Sequence, residues 1–225
     1  MGSGKGMVFR WLGGLLLHAG TVTEVLRLGT SFRRIQVRAP GARGWEPGHK
    51  IQVLLPGDDV RTYTPIPAFE EEEMTLLVYL QGNSPASRWA QTVQEGDTMP
   101  FLGPQRSLSL PDGPVTLVGD ATSIAVAAAY ASARPGQAAA IFAVPPTLEV
   151  DAALASVGLN DARVFRGPVD GALAEAVADA AVVAGGTIAI TGGDALIREV
   201  RTALRARSVT PRVKAYWIAG RAGLD

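Results

Sequence analysis

The hydrophobic periodicity changes near residues 109–113, where Pro and Gly cluster, and this change limits the fold more than any single motif. Before it, residues 21–26, 32–37, 50–55, 61–66, 74–80 and 98–102 read as short strands separated by turn residues such as Pro56-Gly57-Asp58-Asp59 and Gly96-Asp97. Six short strands in this span predict a small antiparallel Greek-key β-barrel over residues 1–110. After the change, strand-like runs at 115–118, 138–144, 163–165, 187–191 and 213–218 alternate with helical stretches at 123–133, 151–157, 172–180 and 194–207. That alternation predicts a doubly wound parallel sheet over residues 111–225, so the chain reads as a β domain followed by an α/β domain.

Composition narrows the chemistry. Lys+Arg and Asp+Glu are balanced at 21 each, which gives no global field for nucleic acid. With no Cys, disulfides, thiolate metal sites, iron–sulfur clusters and Cys nucleophiles are all excluded. His18 and His49 are the two histidines, too few for a His-based metal centre, so no resident metal is expected and any metal arrives with the substrate. Lys5 and Arg10 precede an apolar run, Trp11 to Leu17, that loosely resembles a signal peptide, but the run is short and His18 interrupts it. No segment is long enough to span a bilayer. A cytoplasmic monomer with a flexible lead-in is the expectation.

Three clusters can carry chemistry. Arg61-Thr62-Tyr63-Thr64-Pro65-Ile66 places a guanidinium, a phenol and two hydroxyls within four residues, with Arg61 and Tyr63 on one face of an extended segment. A planar fork beside an aromatic ring with a polar tip suits a ligand with a phosphate tail and a flat ring, of which flavin is one. From these residues alone, an edge strand with a packed Tyr and a solvated Arg is as consistent. Gly82-Asn83-Ser84-Pro85-Ala86-Ser87-Arg88-Trp89-Ala90 opens a short helix whose first amides and Ser87 hydroxyl can hold a phosphate; a capped helix anchored by Trp89 is the simpler reading. Gly119-Asp120-Ala121-Thr122 is a strand-to-helix turn where an open α/β sheet receives nucleotides. It is not G-x-G-x-x-G, and Asp120 would repel an adjacent phosphate. Arg198, Arg201 and Arg205 read as a solvated helix face, the acids at 70–73 as a hairpin tip, and Gly103-Pro104 as a turn closing the barrel.

The order of these features resembles the ferredoxin-reductase-like flavoproteins, and more narrowly the siderophore-interacting proteins, the flavin-dependent ferric-siderophore reductases. The residues that carry the resemblance are Arg61-Thr62-Tyr63-Thr64, Gly82 with residues 85–90, Leu102-Gly103-Pro104, Gly119-Asp120 with Thr122, and Ala215-Tyr216-Trp217 with Gly220. Pro65-Ile66-Pro67 departs from the family, which continues with a basic residue, and looks more like cytochrome reductases and general flavin reductases. Ala121 and Ala125 stand where the family often has Glu and Pro, and Gly193-Asp194 where it often has Gly-Glu.

The resemblance implies FAD on the first domain, with Arg61 on the pyrophosphate, Gly82, Pro85, Ala86 and Ser87 supporting it, Tyr63 packed on the isoalloxazine and Thr64 near N5. It implies NADPH, or NADH, over Gly119, Asp120, Thr122, Gly192 and Gly193. The implied reaction is hydride transfer from nicotinamide to FAD N5, then single electrons to Fe(III) in a ferric siderophore or other ferric chelate. No acid–base pair is required of the protein. NADPH is favoured because Pro145-Pro146, rather than an acid, follow the second parallel strand, and Arg166 is a candidate for the 2′-phosphate. Two alternatives remain: a flavin reductase passing electrons to a protein partner or free flavin, and a flavin-binding module without turnover.

Overall fold

The computed structural model describes residues 17–67 and 72–220. The N-terminal lead-in, the signal-like run as far as residue 16 and residues 70 and 71 of the acidic turn lie outside them. The chain divides into two compact units, Met1–Ser109 and Leu110–Asp225.

In the first unit, β1 (Leu17–Leu28), β2 (Phe32–Arg38), β3 (His49–Leu55), β4 (Asp59–Tyr63), β5 (Ile66–Pro67), β6 (Glu73–Tyr79) and β7 (Thr98–Arg106) form one antiparallel sheet, joined by helix α1 (Pro85–Thr92) between β6 and β7. The strand order is β4-β3-β7-β1-β2-β6-β5. The two ends of that order, β4 and β5, are consecutive in the chain and separated only by Thr64 and Pro65. The sheet therefore curls until its edges approach, because two residues bridge no more than a few ångströms each. Alternate residues point inward: Ile35 and Val37, Ile51 and Val53, Met74, Leu76 and Val78, Met99 and Phe101 are each at most 2% exposed. Burying each large side chain contributes about 1.5–3 kcal/mol.

The sheet has seven strands where six were expected. Residues 61–66 are not one strand: β4 stops at Tyr63, and the chain resumes on the opposite edge as the two-residue β5. Pro65 explains the break, since it donates no amide to a ladder and restricts the residue before it. Gly103-Pro104 is a second correction. It lies inside β7, where the register against β3 shifts between Lys50 and Gln52. Gly103 has φ +125°, and a Cβ there would stand 2.9 Å from the Lys50 carbonyl, so the strand continues through a position that only glycine fits.

The second unit holds β8 (Val115–Gly119), a 3-10 turn (Ala121–Ser123), α2 (Ile124–Ala133), β9 (Ala138–Val144), α3 (Asp151–Ser156), β10 (Arg163–Arg166), α4 (Gly171–Ala184), β11 (Thr187–Gly193), α5 (Asp194–Ala206) and β12 (Arg212–Trp217). All five strands are parallel in the order β10-β9-β8-β11-β12, so the direction of winding reverses at β8. Right-handed crossovers then put α2 and α3 on one face and α4 and α5 on the other. β8 is buried along its whole length, as a strand covered on both faces must be. Val118, Ile141, Val177, Ile190 and Val200 form the core beneath α4 and α5. Residues 124–130 of α2 are all buried, and their alanines let the helix approach the sheet closely.

Candidate functional site

On β4, Val53 pairs with Arg61 and Ile51 with Tyr63, which sets both site residues on the inward side of the strand beside core residues. Thr62 is exposed on the other side. One guanidinium nitrogen of Arg61 donates to the Val60 carbonyl at 2.7 Å and lies 3.4 Å from the Asp59 carboxylate. The side chain remains 36% exposed, and its other N–H groups have no partner among the described residues.

Tyr63 packs against the core, with its ring 6.1 Å from that of Trp89 on α1. Its hydroxyl is buried and has no hydrogen-bond partner among the described residues. Burial pushes the phenol well above its ordinary value, opposed only in part by the Arg61 charge. Thr64 follows the strand and is half-buried.

The turn after β6 runs through Gly82, at φ +57° in open space, to Ser84, the N-cap of α1, with Pro85 at the first helical position. Ser87 is only 1% exposed. Its amide donates to the Ser84 hydroxyl at 3.1 Å, and its hydroxyl bonds to the Ser84 hydroxyl at 2.9 Å and donates to the Gln81 carbonyl at 3.2 Å. The capped helix is what this segment builds, so the Ser87 hydroxyl is engaged internally. The Ala86 amide is without an acceptor among the described residues. An orphaned phenol, a partly engaged guanidinium and a helix-start amide, all within one unit, fit a ligand that brings phosphate oxygens and hydroxyls. FAD has both.

The second unit arranges its residues differently. Asp120 follows β8 at the point where the winding reverses. One of its carboxylate oxygens accepts from the amide and hydroxyl of Thr122; the other accepts from the Gly193 amide at 2.8 Å and the Trp217 indole N–H at 2.9 Å. Gly119, Asp120, Thr122, Gly192 and Gly193 are thus brought together. The glycines permit it: a Cβ on Gly192 would stand 2.6 Å from the Asp120 carboxyl, one on Gly193 would stand 2.5 Å from the Trp217 ring, and one on Gly119 would stand 2.2 Å from the Ser123 Cβ. The buried hydroxyls of Ser123 and Thr191 have no partner among the described residues. Arg166 is not part of this group. It ends β10, two strands or about 10 Å from β8, and donates to the Leu148 carbonyl at 2.6 Å with Asp151 at 3.5 Å.

Sequence reasoning missed Trp217 as the fourth donor to Asp120. The register of parallel strands β11 and β12, which sets Gly193 opposite Trp217, makes that contact, and no local pattern announces it. Among the described residues no cluster of His, Asp and Glu could hold a metal, and no helix is long and apolar enough to cross a membrane.

The fold is the ferredoxin-reductase-like one. A ferredoxin-NADP+ reductase from Plasmodium falciparum, solved with 2′P-AMP, superposes with a TM-score of 0.67 at 10% identity, covering 88% of this chain and 95% of that one. Within that class the chain resembles the siderophore-interacting proteins. Residues 58–108 match the siderophore-interacting FAD-binding domain. The siderophore-interacting protein SipS from Aeromonas hydrophila superposes with a TM-score of 0.68 at 25% identity, covering 92% of this chain and 93% of that one. A siderophore utilization protein from T. fusca does so at 0.68 and 21% identity, covering 93% and 95%. No curated protein matches the sequence.

Proposed function

We propose that the protein is a flavin-dependent NAD(P)H oxidoreductase whose acceptor is a ferric siderophore or a related ferric chelate. The observation that carries this reading is the buried Tyr63 hydroxyl beside Arg61, without a partner among the described residues, in the segment that matches the siderophore-interacting FAD-binding domain. Arg61 would hold the FAD pyrophosphate, helped by the amides of Gly82 and Ala86, with Pro85 fixing the first helical position and Ser87 holding the turn rigid from within. Tyr63 would offer its hydroxyl to the flavin side chain and its ring to the isoalloxazine, and Thr64 would help to orient the ring. The flavin, when bound, would supply the redox chemistry that links a two-electron nicotinamide donor to a one-electron ferric acceptor. The protein's contribution is distance and orientation, which is why neither histidine is needed.

The nucleotide belongs at the carboxyl ends of β8 and β11, over Gly119, Asp120, Thr122, Gly192 and Gly193. NADPH is preferred, with Arg166 exchanging Asp151 for the 2′-phosphate. Arg166→Ala then raises KM for NADPH more than for NADH, and an equal effect on both removes that role.

Electron transfer to a protein partner or free flavin is the second reading. It is favoured by Pro65-Ile66-Pro67, which departs from the siderophore-reductase pattern at the break between β4 and β5. One experiment separates the readings: reduce the FAD-loaded protein anaerobically with NADPH, then mix it with ferric siderophores, a cytochrome, a ferredoxin and free flavin. Fastest reoxidation by a ferric siderophore is expected. Faster reoxidation by a protein or free flavin supports the second reading, and absence of reduction by either nucleotide leaves only a flavin-binding module.

A further inference from the structure

In an open α/β sheet, ligand phosphates are received at the switch point by amide donors at the starts of helices. Here those donors already face an anion that belongs to the protein. The Asp120 carboxylate accepts from the Thr122 amide, in the turn leading into α2, and from the Gly193 amide, the N-cap of α5. The Thr122 hydroxyl and the Trp217 indole N–H add two more bonds. A carboxylate has about four lone-pair sites, so its capacity is filled. Asp194 adds a second acid in the first turn of α5, compensating the positive end of that helix. Gly192, at φ +106°, brings its backbone so close to Asp120 that a Cβ would stand 2.6 Å from the carboxyl carbon. The carboxylate is therefore packed in place as well as hydrogen-bonded.

We propose that Asp120 is a built-in anion that closes both switch-point turns to phosphate, so that the reduced nucleotide presents its uncharged dihydronicotinamide riboside end to Gly119–Thr122 and Gly192–Gly193. Asp120 is in this sense a specificity-determining residue, acting by exclusion. Trp217 is a positioning residue that holds the carboxylate from the last strand. The inference rests on the nicotinamide-nucleotide reading of the second unit.

Amide NMR of the 225-residue chain tests it, with inorganic pyrophosphate and dihydronicotinamide riboside as separate probes. In the wild type, millimolar pyrophosphate leaves the Thr122 and Gly193 amides unshifted, whereas dihydronicotinamide riboside shifts them. Asp120→Asn removes the charge and releases donors, and its pyrophosphate affinity rises by about tenfold or more. Trp217→Phe keeps the carboxylate and gains no pyrophosphate binding. Wild-type amides at Thr122 and Gly193 that move with pyrophosphate overturn the proposal, as does an Asp120→Asn protein that folds and binds pyrophosphate no better. The wild-type titration needs no variant, so misfolding of Asp120→Asn leaves it decisive. If NADPH perturbs no amide of the second unit, the parent reading fails instead, and the pyrophosphate titration still decides the role of Asp120.

Discussion

Tyr63 in the first unit and Asp120 in the second both stand where a strand gives way to a turn, yet among the described residues the phenol has no partner and the carboxylate has four. A buried polar group left unpaired costs about 1–3 kcal/mol, a cost that a bound group offering a partner would remove. On the proposed reading Tyr63 belongs to a ligand site, with Arg61 only partly engaged and the Ala86 amide without an acceptor among the described residues. The surroundings of Asp120 are those of a joint, in which the ends of β8, β11 and β12 are tied by one side chain. Residues with similar promise in a sequence thus separate by whether the fold has already satisfied them. Ser87 falls on the satisfied side, although it sits in the unit with Tyr63.

Crowding at the joint gives the largest expected effect. Gly192→Ala combines a left-handed backbone with a collision at Asp120, and should lower stability by about 2–4 kcal/mol in chemical denaturation. Gly82→Ala, left-handed but in open space, should cost only about 1–2 kcal/mol. Equal losses would mean that the close approach of Gly192 to Asp120 carries no energy.

Arg61→Ala comes next. It should weaken FAD binding by about 1.5–3 kcal/mol, roughly ten- to a hundredfold in Kd, while leaving NADPH binding to the second unit unchanged. A variant that stays fully yellow after dialysis contradicts the assignment.

Trp217→Phe removes one bond to the Asp120 carboxylate and should reduce stability by about 1–2 kcal/mol, with no change in FAD affinity. A parallel fall in FAD affinity would show that Trp217 does more than hold the Asp120 carboxylate.

The smallest effect has the most distinctive sign. Tyr63→Phe removes a hydroxyl that lacks a partner, so without FAD the protein should be as stable or up to about 1 kcal/mol more so, while FAD binding weakens by about 1 kcal/mol. Because burial raises the folded-state value of this phenol, the native state holds its proton more tightly than the unfolded chain. Stability from this group is thus fully present below the ordinary phenol value near 10 and falls as pH rises above it. Thermal melts of the wild type should drop across that alkaline range, and Tyr63→Phe should drop less.

Much of the second unit was legible in the sequence because its strands and helices differ in period, and because β8 and β11, covered on both faces, read as continuous apolar runs. The turn at Gly119–Thr122 followed from strand order alone. The first unit was less legible where a strand is too short to show a period: Ile66-Pro67 contributes two residues to the sheet, and only the pairing of Ile66 with Thr75 reveals it. Gly103-Pro104 reads locally as a turn, yet β7 passes through it because a register shift against β3 makes room. The roles of Ser87 and Trp217 depend on partners six and 97 positions away in the chain, Gln81 and Asp120, which no motif encodes.

Whether a flavin on the first unit is reduced by a nucleotide bound to the second is read by anaerobic stopped-flow mixing of the FAD-loaded protein with NADPH. The oxidised flavin band is expected to bleach in a single saturable phase, and Arg61→Ala, once loaded with excess FAD, to bleach in proportion to the flavin it retains. Wild-type protein that carries FAD but whose band is unchanged by both NADPH and NADH would contradict the proposed function.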